Sequence, residues 1–91
     1  MDKISVEELL EKELEQIEDA ESVADIRLTF ELLKDSFEGI GEIIKDLEAA
    51  VNDEDLKTLT EELTRQSAIH DNLADMINCS IGKNIIPKLL G

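Results

Sequence analysis

The sequence predicts an all-α fold: a small three-helix bundle built on a long antiparallel helical hairpin, with helices at about 6–20, 22–51 and 54–81. Three observations predict it. Apolar residues recur at three- and four-residue spacing, capping residues stand at the boundaries of those runs, and no stretch alternates as a strand would. The two phenylalanines are the only aromatics, so the core must be aliphatic. A chain of 91 residues with such a core has a thin stability margin. Pairing with a second copy, with coiled-coil-like packing, is therefore expected.

The first helix opens on Ser5-Val6-Glu7-Glu8, the pattern of a capping box, with Ile4 and Leu9 placed as a hydrophobic staple. Val6, Leu9, Leu10, Leu14 and Ile17 then form one apolar stripe. Ser22 with Asp25 is a second capping signal, at a point where the stripe changes phase. Residues 6–51 are thus either one bent helix or two.

Val23, Ile26, Phe30, Leu33, Phe37, Ile40, Ile44, Leu47 and Val51 follow a 3-4-3-4 spacing without a miss, the signature of a bundle or coiled-coil seam. At about 1.5 Å per residue this helix is roughly 43 Å long. Gly39 and Gly41 lie inside it and predict a kink, a close approach of another backbone, or a break. Leu28 and Leu32 fall on a different face and need a partner of their own. Asn52-Asp53-Glu54-Asp55 reads as a turn and an acidic first helical turn. The third stripe then runs from Leu56 to Ile81, with Gly82 as its C-terminal cap.

Charge divides the chain into an acidic helical domain, 1–82, and an apolar C-terminal tail, 83–91. All 23 carboxylates precede residue 76, and the formal net charge is −14. Such a balance argues against direct binding of nucleic acid or anionic lipid, both of which need cationic side chains. With no apolar run of membrane-spanning length and a single cysteine, the chain reads as a cytoplasmic protein without a membrane span. Cys79 is expected to be a small buried residue.

Catalytic signals are missing. His70 is the only histidine, the residue three before it is Ser67, and no Cys/His spacing suits zinc. No cofactor, metal or catalytic residue is expected, and the chain reads as no enzyme. His70 beside Asp71 is expected to be hydrogen-bonded in the polar midsection of the third helix.

Two functional classes remain. The leading one is a non-catalytic interaction protein, a small chaperone, adaptor or assembly factor, that holds a partner protein through Leu28 and Leu32 and through the tail aliphatics Ile85, Ile86, Leu89 and Leu90. Pro87 forbids a helical tail, leaving it to cap its own hairpin or to dock into a partner. The alternative is an acidic mimic of nucleic acid that blocks a basic cleft, for example a phage-encoded inhibitor of host defence. It would use Glu7, Glu11, Glu15 and Glu18 in a row on the first helix, with Asp53, Glu54, Asp55, Glu61 and Glu62.

Overall fold

The computed structural model describes residues 5–90. They form three helices, α1 (Val6–Leu14), α2 (Ala20–Ala49) and α3 (Asp53–Ile81), and no strand occurs among the described residues. α2 and α3 pack together. The body measures 52 × 32 × 20 Å with a radius of gyration of 15.8 Å, against about 12 Å for a globular chain of this length. It is a long pair of helices with extra material at one end.

The boundaries follow from local chemistry. Ser5 caps α1, its hydroxyl accepting the Glu8 amide at 3.2 Å; the proposed staple residue Ile4 lies outside the described residues. α1 stops at Leu14, six residues short of the expected end. The amides of Gln16 and Ile17 turn back to Glu13 and Leu14 in tight i→i−3 bonds. Asp19 then takes an extended conformation and caps α2, its carboxylate accepting the Glu21 amide at 3.3 Å and the Ser22 hydroxyl at 2.6 Å. The carboxylate displaces Ser22 from the capping role. It is held below its ordinary pKa first by the Ser22 hydroxyl and then by the Glu21 amide. Residues 6–51 are two helices, and the change of phase in the stripe is where they part.

α2 runs unbroken through Gly39 and Gly41 and ends at Ala49, before the predicted 51. A Cβ at either glycine would meet nothing within 4 Å, so no other backbone approaches closely. Asn52 caps α3 by accepting the Asp55 amide at 2.8 Å. Gly82, at φ 72°, closes α3 in the left-handed conformation that glycine adopts freely. Asn78 O accepts both the Gly82 and the Lys83 amides there.

The core joins Leu10 and Leu14 of α1, Ile26, Phe30 and Leu33 of α2, Ala74 and Ile77 of α3, and Ile86 of the tail. It occupies the end of the molecule where α1 and the tail cover the helix pair. Along the rest of the seam burial is uneven, and Ile40 is buried. Phe37 is 57% exposed and Val51 92% exposed, though both belong to the same 3-4-3-4 stripe. No described helix is long and apolar enough to cross a membrane.

Candidate functional site

The tail is bound to α3 by side chains. Asn78, buried, accepts the Ile85 amide at 3.1 Å and the Ile86 amide at 3.0 Å through Oδ1, and its Nδ2 donates to Ile86 O at 3.0 Å. One heptad earlier, Asp71 accepts the Leu89 amide at 2.6 Å and the Leu90 amide at 2.7 Å, one on each carboxylate oxygen. The clamps lie one heptad, about 10 Å, apart on α3 and hold amides four residues apart in the tail, so the tail runs back along α3. Pro87 stands between the two pairs of amides, where its missing N–H costs neither clamp a donor.

Nδ1–H of His70 donates to Asp71 Oδ1 at 3.1 Å, and the ring stacks obliquely on Phe37 at 5.9 Å. Burial pushes the Asp71 carboxyl up, but the Leu89 and Leu90 amides, with His70, outweigh it together and hold the group below its ordinary value. Lys88 pairs with Asp75 at 2.9 Å, and Lys83 with Glu13 at 2.7 Å, tying the tail to α3 and α1. The polar pair His70–Asp71 belongs to this latch, and no three His, Cys, Asp or Glu among the described residues are grouped to hold a metal ion.

The tail aliphatics are thereby divided. Ile86 is 4% exposed and part of the core, Ile85 packs partly buried beside it, and Leu89 and Leu90 face outward. The docked tail leaves an apolar recess of about 470 Å³ between Phe30, Leu33 and Phe37 on one side and Ile86, Pro87 and Leu89 on the other, with Lys34 and Glu38 at its rim. Cys79 is exposed, contrary to expectation, because α3 turns Asn78 and Ile77 inward.

Leu28 and Leu32 are 63% and 50% exposed. They lie away from α1, whose Glu11 holds Arg27 with both carboxylate oxygens and whose Glu7 reaches Lys34 at 3.7 Å on the other flank of α2. Asp25 and Thr29 of α2 line one recess with Met76 and Ser80 of α3. Helical periodicity sets Leu28 and Leu32, three residues beyond each of those α2 positions, on that side. Ile69, seven residues before Met76, joins them there and is likewise exposed. The result is an aliphatic face, Leu28, Leu32, Ile69 and Met76, on the side of the α2–α3 pair that α1 leaves open.

The carboxylates do not form one continuous row. Glu15 caps the end of α1 in helical conformation, Glu18 lies beyond it in the linker, and Glu7 and Glu11 are engaged by cations of α2. Asp53, Glu54 and Asp55 are exposed in the first turn of α3. Glu61 is exposed, and Glu62 pairs with Arg65. The Asp71 and Asn78 clamps were absent from the sequence reading. The available signal was two short polar residues seven apart, flanking Ala74 and Ile77 on the inner side of the stripe.

Compared with known proteins, the chain matches no family model, and neither a curated protein nor a solved structure matches it significantly.

Proposed function

We propose that this is a non-catalytic interaction protein of the cytoplasm, a small acidic chaperone, adaptor or assembly factor whose α2 and α3 form an antiparallel hairpin. The observation that carries the reading is the aliphatic face of Leu28, Leu32, Ile69 and Met76, left open on an otherwise strongly acidic body. Apolar contact there supplies affinity, while the carboxylates around it select against acidic competitors. A homodimer fits the other end of the molecule. Beyond the reach of α1, Ile44 and Leu56 are exposed on the two-helix arm, and a second copy's arm would complete a four-helix bundle over them.

The test is capture of partners from the native host's lysate, washed at low and at high salt. A partner retained at high salt supports apolar docking, because apolar contacts hold or tighten as salt rises. A basic nucleic-acid-binding protein that washes off would instead favour the mimic. Sedimentation of the purified chain at several concentrations checks the dimer.

A further inference from the structure

α2 carries a second heptad stripe beside its core seam: Glu21, Asp25, Leu28, Leu32, Asp35, Gly39, Glu42 and Asp46 succeed one another at spacings of four and three. Its centre is aliphatic and exposed, and both of its ends are acidic. Among the described residues, Glu21, Asp25, Asp35 and Asp46 have no cationic partner, although most of the chain's few lysines and arginines are engaged elsewhere. Ile69 and Met76 of α3 continue the aliphatic surface on the same side.

We propose that this stripe docks a basic amphipathic helix, one that presents two aliphatic side chains a turn apart to Leu28 and Leu32 and a lysine or arginine a turn beyond each to Asp25 and Asp35. The inference rests on the interaction reading above and names its partner's chemistry. Charge complementarity selects the occupant. A second copy laid on the stripe in either direction sets aspartate against aspartate. The chain's own segments are committed elsewhere, α1 to Arg27 and Lys34 on the other flank and the tail to Asn78 and Asp71. A helix in a groove uses anchors at this spacing, and Gly39 leaves open space where the partner passes up the arm.

The probe is a fluorescein-labelled peptide about 18 residues long, five helical turns, with two central leucines one turn apart, a lysine one turn beyond each, and alanine elsewhere. Binding to the full chain is read by anisotropy. Leu28→Ser/Leu32→Ser, at exposed positions that leave the core intact by circular dichroism, should weaken it at least about tenfold, the loss of two anchors. Asp25→Asn/Asp35→Asn should weaken it about three- to tenfold, and the equal charge change Glu54→Gln/Glu61→Gln less than about twofold. The same peptide with glutamate in place of lysine should not bind.

Binding indifferent to the leucine variant, or weakened equally by Glu54→Gln/Glu61→Gln, overturns the proposal by making the contact a diffuse charge effect. So does a self-associating chain that Leu28→Ser/Leu32→Ser turns monomeric, since the second copy is then the occupant. A lysate partner captured equally well by wild type and Leu28→Ser/Leu32→Ser sinks this inference and leaves the interaction reading standing, whereas a wild-type chain that captures nothing sinks the reading itself.

Discussion

Two side chains hold the tail, and they should fail separately. Asn78→Ala removes the acceptor of two amides and the donor to Ile86 O in a buried place, which should cost about 2–4 kcal/mol in urea unfolding. Hydrogen exchange at Ile85 and Ile86 should accelerate with it. Asp71→Asn keeps one acceptor but turns an NH₂ group towards a backbone amide. Exchange at Leu89 and Leu90 should therefore quicken while Ile85 and Ile86 stay protected. If all four amides exchange together in both variants, the two clamps are one cooperative unit. The acid response has a definite sign. The Asp71 carboxyl is held below its ordinary value of 3.8 in the folded chain. Its contribution is complete above that value and is lost as pH falls through the lower folded-state value. Acid should release Leu89 and Leu90 only below about pH 4.

At the scale of elements, the glycines of α2 offer the sharpest test. Gly41 is exposed, within a continuous helix, and an added Cβ meets nothing within 4 Å. Gly41→Ala should stabilise the chain by about 0.5–1 kcal/mol, seen as a higher melting temperature, because alanine loses less backbone entropy on entering a helix. An unchanged or lower melting temperature would mean that α2 bends or opens at this point. The same element shows where a sequence can and cannot be read. The 3-4-3-4 stripe, the Ser5 and Asn52 caps and the Gly82 stop were legible because each acts over one helical turn. The early end of α1 was not, because its five-residue linker competes with helix through two weak turns and an aspartate cap. Nor was the exposure of Phe37 and Val51 legible. Burial depends on how each seam residue meets the elements packed against it: Ile40 is buried, while Phe37, which lines the tail recess together with Val6 of α1, stays exposed. The leucine pair of the open face was visible as a misfit to the seam, but its acidic frame emerges only once α2 is known to run unbroken from Ala20 to Ala49. The tail latch needed tertiary structure, since Asp71 and Leu90 lie nineteen residues apart.

For the whole molecule, the excess of carboxylates sets the response to salt and acid. Fourteen net negative charges first suggest a body that gains stability from either salt or mild acid, through carboxyls raised by their neighbours. Asp19 and Asp71 act against the acid half of that expectation: both are lowered by hydrogen bonds, so their contributions are lost on acidification. The remaining charge is spread along a 52 Å body, which exceeds the screening length of about 10 Å at 0.1 M salt several times over. Repulsion of that reach is strong only when salt is scarce. The melting temperature at pH 7 should therefore climb between about 0.01 and 0.15 M sodium chloride, as the screening length falls from roughly 30 to 8 Å, and level off beyond. On acidification the melting temperature should fall below about pH 4, where Asp71 lets the tail go. A melting temperature that drops on adding salt would reverse the argument, because the ion pairs that tie α1 and the tail to the helix pair and to each other, Glu11–Arg27, Asp75–Lys88 and Glu13–Lys83, would then outweigh the repulsion.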